Sequence, residues 1–457
     1  MREPAAPLDR RRARARVTLA LWCAVAAPGL ARAADDTPPA PPAEAGPQRF
    51  AVHAQGTFTV QATPGFPSPY VGAQSLTPHQ AKETADVTVY AGVRPWRGAE
   101  LWVNPEIDQG FGLSNTLGVA GFPSAEAYKV GSRAPYFKLP RLFLRQTIDL
   151  GGDAAPVAAG ANQLAGAQTA NRLVITLGKF GVVDVFDTNR YGHDPRTDFL
   201  NWAAIDAGAF DYAANAWGYT FGGAVEWYHA AWTVRSGLFN LSKQPNQPSL
   251  ETGFQQYQLV GEVEHRQSLH GHPGAIRLGG YYTHGNLALL RDLIAAHDRT
   301  GVMPDNASLR HMNGHGGGYL SIDQELSATV GVFVRASAGD GVTEADDFTD
   351  IDRSVSIGAQ IAGSAWRRTT DKVGVVALAN GISRTRQIFL NLGGLGTLVG
   401  DGRLPHPGHE WIGEGWYQLG VLSGVTLTAD YQVIANPAYN RDRGPVHVFG
   451  FRLHAAV

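Results

Sequence analysis

Residues 86–94 read Asp-Val-Thr-Val-Tyr-Ala-Gly-Val-Arg, and residues 99–108 read Ala-Glu-Leu-Trp-Val-Asn-Pro-Glu-Ile-Asp. In the first stretch Val87, Val89, Ala91 and Val93 alternate with Asp86, Thr88, Tyr90 and Arg94; in the second, Leu101, Val103 and Ile107 alternate with Glu100, Asn104, Glu106 and Asp108. A period of two puts successive side chains on opposite faces of a strand. Pro95-Trp96-Arg97-Gly98 between them has the composition of a turn. The two stretches therefore form a hairpin with one apolar and one charged face.

The same alternation recurs on either side. It predicts strands at 50–61, 84–94, 99–108, 141–150, 171–180, 216–228, 231–241, 254–268, 274–284, 315–326, 328–338, 352–363, 371–382, 411–421, 424–434 and 445–457. Sixteen is an even number, as a single-chain bacterial membrane barrel requires. Connections after the odd-numbered strands are long, for example 109–140, 181–215 and 285–314; those after even-numbered strands are short, for example 95–98, 229–230 and 422–423, with 151–170 as the exception. Long extracellular loops opposite short periplasmic turns produce such a parity. A soluble sandwich has no reason to.

Charge sorts by face as well. The apolar phase is almost free of it, Lys179 and His265 falling at strand ends. The other phase carries ten acids (Glu100, Glu106, Asp108, Asp149, Glu226, Glu262, Glu264, Asp323, Glu325 and Asp430) and eight arginines (Arg141, Arg145, Arg172, Arg235, Arg266, Arg277, Arg335 and Arg452). An Arg or Lys facing lipid at midplane costs about 2–4 kcal/mol, so the charged phase must face an aqueous lumen. The fold expected is an all-β, sixteen-stranded antiparallel transmembrane barrel over residues 50–457.

The N-terminus sets the compartment. Arg10, Arg11, Arg12, Arg14 and Arg16 precede the apolar run Val17–Ala27, and Ala31-Arg32-Ala33 supplies a small-x-small cleavage pattern, so residues 1–33 are expected to be a signal peptide. The run is too short to span a bilayer. Residues 34–49, rich in Pro and Ala, are expected to be a flexible periplasmic lead-in. Cys23 falls within the signal, so the mature chain holds no cysteine. The leader's seven arginines against Glu3 and Asp9 give it +5, so a chain of net −2 leaves a mature protein of −7. That excludes a nucleic-acid partner, which needs a basic surface.

Longer strings carry a family resemblance. Gly178-Lys179-Phe180, Val185-Phe186-Asp187-Thr188-Asn189-Arg190-Tyr191, His193-Asp194-Pro195-Arg196-Thr197-Asp198-Phe199 and Asn201-Trp202 resemble the carbohydrate-selective porins of the OprB family. Asp350-Ile351-Asp352-Arg353, Gly400-Asp401-Gly402 and Asn436-Pro437-Ala438-Tyr439-Asn440-Arg441-Asp442-Arg443-Gly444-Pro445 extend the likeness over the mature chain. The resemblance implies a porin in the outer membrane of a Gram-negative bacterium, passing small neutral sugars such as glucose by passive diffusion. It implies no catalysis and no cofactor. Its partners would be outer-membrane lipid and the barrel-assembly machinery, with monomer and homotrimer both open. Such barrels usually end on an aromatic that this machinery reads; here the chain ends His454-Ala455-Ala456-Val457, and Phe449 and Phe451 are the nearest candidates. The alternative is a general diffusion porin without sugar preference.

A sugar offers hydroxyls that donate and accept, so a selective narrowing wants arginines and carboxylates. The candidates are Arg141, Arg145 and Arg172 facing Glu100, Glu106 and Asp108, all from neighbouring strands; the bland reading is that they only solvate the wall. The loop 181–215 could fold inward and contribute Asp187, Arg190, Asp194 and Arg196, or those residues could only stitch the loop to itself. The near-balance of charge in the lumen suits a neutral solute, since an ion pore carries rings of one sign. No metal site is expected. The acidic run Asp346, Asp347, Asp350 and Asp352 is the one stretch that could take calcium at an outer loop, and His406 with His409 and Glu410 reads as an exposed loop pair.

Overall fold

The computed structural model describes residues 47–128 and 131–457. The leader expected over 1–33 and most of the lead-in expected over 34–49 lie outside the described residues. Eighteen strands run through the described chain: β1 Phe50–Thr63, β2 Gln80–Val93, β3 Ala99–Gly110, β4 Ser132–Asp149, β5 Ala154–Val157, β6 Gly166–Thr169, β7 Arg172–Phe180, β8 Thr220–His229, β9 Trp232–Asn240, β10 Tyr257–Leu269, β11 His272–Leu287, β12 His311–Ser327, β13 Val330–Gly339, β14 Arg353–Ala362, β15 Lys372–Gly381, β16 Glu410–Leu422, β17 Val425–Ala435 and β18 Val446–Ala456. Sixteen of them close into one antiparallel barrel, each paired with its neighbours in sequence and β18 returning to β1. Closure leaves no edge strand with unpaired backbone groups, which is the condition for strands to cross lipid.

Each of the sixteen strands read from the alternation is present. The largest shift is β4, which begins at Ser132 rather than 141 because its register against β3 jumps where Asn104 pairs with Arg141 and Glu106 with Lys138. Pro140 lies in that jump. A proline has no N–H to give the ladder, and a bulge absorbs it. Through the bulge both Lys138 and Arg141 point inward. The other difference is in 151–170, where β5 and β6 form a small hairpin outside the barrel sheet. Its Ala- and Gly-rich sequence has no two-residue alternation to give it away.

The two faces separate as the charge pattern requires. Val87, Leu101, Ile107, Leu177, Leu278, Val355, Ile357 and Val375 are exposed on the outside. Asp86, Glu100, Glu106, Asp108, Lys138, Glu262, Asp323, Arg335 and Arg452 are buried on the inside. Trp96, Trp227, Trp232 and Tyr282 stand on the outer surface, whereas Trp102 is buried within. Trp102 lies flat across Gly92, where a Cβ would come within 2.5 Å of the indole.

Candidate pore constriction

The lumen is not uniformly aqueous. The loop 181–219 between β7 and β8 folds inward, and the residues 198–216 along it are almost continuously buried. Phe199 packs between Phe333 and Trp416, each with ring centroids 5.7 Å away, and Phe210 stacks on Tyr319 at 4.9 Å. Gly358 and Gly374 make this possible. A Cβ there would approach the rings of Phe333 and Trp416 to 2.3 Å, so the two aromatics lie against the wall and offer flat faces to the loop.

Polar anchors fix the same loop. Asp187 accepts from Arg335 Nε at 3.0 Å and from the Ala207 N–H at 2.5 Å, and Arg335 also donates to the Ala204 and Asp187 carbonyls at 3.0 and 3.2 Å. The Leu200 and Asn201 N–H groups donate to Glu414 at 2.6 and 3.0 Å. Asp187 is therefore a buried anchor rather than a pore-lining group. Arg190 is half exposed and lies 3.7 Å from Glu325. Asp194 accepts from the Arg196 N–H at 2.9 Å, a bond within the loop.

Two adjacent chambers lie beside the docked loop. The first, about 180 Å³, is lined by Phe122, Tyr128, Trp202, Tyr219 and Phe348 together with Arg141, Asp194 and Arg196. The second, about 520 Å³, is lined by Phe143, Arg145, Arg172, Glu226, Tyr228 and Arg235. Asp184 and His193 line both, which places the partition at these residues.

Arg141 sits at that partition. Its Nε and Nη2 donate to Asp184 Oδ2 and Oδ1 at 2.8 and 2.6 Å, a two-bond fork, and its guanidinium lies 4.9 Å from the Tyr219 ring centre. Of the expected facing of Arg141, Arg145 and Arg172 onto Glu100, Glu106 and Asp108, Arg145 stands opposite Glu100 across β3 and β4, while the partners of the other residues differ. Arg145 approaches Glu100 at 3.7 Å but hydrogen-bonds the Asn162 carbonyl at 2.8 Å. Arg172 stacks 3.6 Å over the Tyr228 ring and donates to the Thr169 carbonyl at 3.0 Å. Glu106 and Asp108 instead hold Lys138, at 3.1 and 3.0 Å. Arg196 joins that group, 3.3 Å from Asp86, 3.3 Å from Glu106 and 3.4 Å from Glu126.

Along β8–β12 the charges neutralise one another in a chain. Arg235 meets Glu226 at 3.1 Å and Glu262 at 2.6 Å, and Arg277 meets Glu264 at 2.9 Å and Asp323 at 2.6 Å. Paired in this way, the wall presents hydrogen-bonding groups without a one-signed field. In the outer loops Asp350 and Asp352 are committed to Arg386, at 3.4 and 3.0 Å, while Asp346 and Asp347 are buried apart from them. Among the described residues, no three acidic, histidine or cysteine side chains are placed to hold a metal ion.

The signature of the carbohydrate-selective porin OprB family matches residues 73–456. The chain belongs to that family. It is a carbohydrate-selective porin of the Gram-negative outer membrane. The high-pH structure of Pseudomonas putida OprB superposes with a TM-score of 0.68 at 17% identity, covering 90% of this chain and 94% of the other. The low-pH structure of the same protein gives 0.50 at 12% identity, covering 90% and 93%. No protein with a curated description matches the sequence.

Sequence reasoning missed Lys138, Glu126 and the first chamber's aromatics. Lys138 was hidden by the prolines of β4. Glu126 and Trp202 sit in single helical turns within the inter-strand connections, and Phe122 precedes the first of them, so no strand periodicity marks which side chains converge.

Proposed function

We propose that the partition at Arg141 and Asp184 is where this OprB-family porin selects its sugar, and that its substrates are neutral monosaccharides such as glucose. What carries the reading is the forked Arg141–Asp184 pair, in which Arg141 lines the smaller chamber and Asp184 lines both, flanked by Tyr219 and the stacked rings of Phe122 and Trp202, 5.4 Å apart. A pyranose has hydroxyls for the fork and an apolar ring face for the aromatics. Arg196, held among Asp86, Glu106 and Glu126, adds donors to the same chamber. The barrel is a passive channel without catalytic work. Residues 1–33 direct its export and are removed afterwards.

Liposome swelling with hexoses, disaccharides and ions of matched size tests the selectivity; a flux set by size alone would refute it. Arg141→Lys keeps the charge but loses the fork. Sugar block of the single-channel current is expected to weaken about fivefold for each hydrogen bond lost, with salt conductance nearly unchanged. Block equal to the parent's would remove Arg141 from the site.

A further inference from the structure

The hairpin between β4 and β7 is short of sequence signal but rich in contacts. Its tip, residues 158–165, turns back towards the barrel and closes on itself through reciprocal Gly160 and Gln163 backbone hydrogen bonds of 3.0 Å. Leu164 is fully buried among the apolar residues of the barrel interior. Arg145 on the wall holds the Asn162 carbonyl at 2.8 Å, and the Leu164 N–H points to Glu100 at 3.4 Å. Ala165 exchanges hydrogen bonds with Gln48, its N–H donating to the side chain at 2.9 Å and its carbonyl accepting from the backbone at 3.0 Å. Arg94 braces this join at 3.3 Å. Because β4 and β7 meet at the short-turn end, the tip enters the lumen from the periplasm.

The tip is one wall of the larger chamber. Asn162, Gln163 and Gln168 line it together with Arg172 and Glu226 of the barrel and Asp184, Val185, Thr188 and His193 of the inward loop. Asn162 Oδ1 and Arg172 Nε are both buried there without a hydrogen-bond partner. At about 520 Å³ the chamber is within the range of small-molecule sites. Carboxamides that both donate and accept match the hydroxyls of a neutral polyol, not an ion.

We propose that the hairpin tip and the facing wall form a second carbohydrate-recognition site on the exit side of the constriction, and that the tip sets the largest sugar able to leave. This rests on the sugar-pore reading. The solute would pass from the aromatic chamber, across Arg141 and Asp184, into a polar chamber whose floor is the tip. Its recognition groups are Asn162, Gln163 and Gln168, and its ligand class is the neutral monosaccharide that crosses the constriction.

Two variants test it. Asn162→Gly with Gln163→Ala removes both amides while keeping the tip in place: Arg145 holds the main-chain carbonyl of Asn162, and glycine accepts its φ of +58°. The second variant replaces 158–165 by Asn-Gly, joining the paired residues Val157 and Gly166 through a two-residue turn. Heat-modifiable migration reports that each barrel is folded. Hexose block of the current should weaken roughly fivefold or more in the first variant. In the second, the swelling rate with a disaccharide relative to a hexose should rise several-fold. If both folded variants keep the parent's block and size ratio, the exit site is refuted while the constriction stands. A parent that no sugar blocks refutes both readings.

Discussion

Replacing Arg335 with leucine removes the clamp that holds the inward loop to β13. The side chain makes one ion pair with Asp187 and two hydrogen bonds to loop carbonyls, and the two paired side chains are 2% and 0% exposed. Removing one member of a buried pair leaves the other charge without compensation, which costs about 3–5 kcal/mol. Since about 1.4 kcal/mol is a factor of ten, docking should weaken by roughly two to three and a half orders of magnitude. The aromatic packing of Phe199 and Phe210 resists release, so the effect should be opening rather than permanent loss. The sixteen-strand ladder does not depend on Arg335, and heat-modifiable migration should survive. Limited proteolysis of proteoliposomes should cut within 181–219 faster than in the parent, and the open-channel current should become noisier. Adding Asp187→Asn removes the stranded charge and should restore much of the resistance. Cleavage and noise matching the parent's in the single variant would refute the clamp.

Val332→Arg, on the outward phase of the same strand, should hinder insertion by about 2–4 kcal/mol, read as reduced heat-modifiable barrel; equal folding of Val332→Arg and the parent would reverse the face assignment. Asp347 is buried in the outer loop with neither carboxylate oxygen hydrogen-bonded, and desolvation, then Asp346 and Asp211, hold its carboxyl well above the usual range. A raised folded pKa favours the protonated form, so this contribution to stability is lost as pH climbs from the ordinary carboxylate value near ~4. Asp347→Asn should therefore raise thermal stability at neutral pH and flatten its fall between acid and neutral buffers; an unchanged pH profile would count against it. N-terminal sequencing of the membrane-inserted protein should begin near Ala34, and an intact arginine-rich leader would contradict the expected cleavage.

How much of this was readable in advance follows from what lipid and water each demand. A strand with lipid on one side and water on the other must alternate, so even β15, whose Val375 and Ala377 carry the apolar phase only weakly, could be placed. The inward charges could be named for the same reason. Their partners could not, because partners depend on how loops fold. Arg141 was expected opposite carboxylates of β3 and instead meets Asp184, a loop residue brought there by Arg335 and Phe199. Arg145 was expected to face the β3 carboxylates and does approach Glu100, but its hydrogen bond is to a hairpin that has no pattern of its own.

The docked loop makes inward positions unequal. Those on β12–β16 behind it, such as Phe333, Gly358, Gly374 and Trp416, live under the rules of a protein interior, where a methylene too many or too few is felt. Those along β4, β7 and β8 live under the rules of a wetted groove, where a substitution alters traffic before it alters folding. A saturation library scored once for folding and once for sugar growth should therefore divide by arc around the barrel rather than by depth along it. An engineer reshaping the passage would find freedom on one arc and almost none on the other.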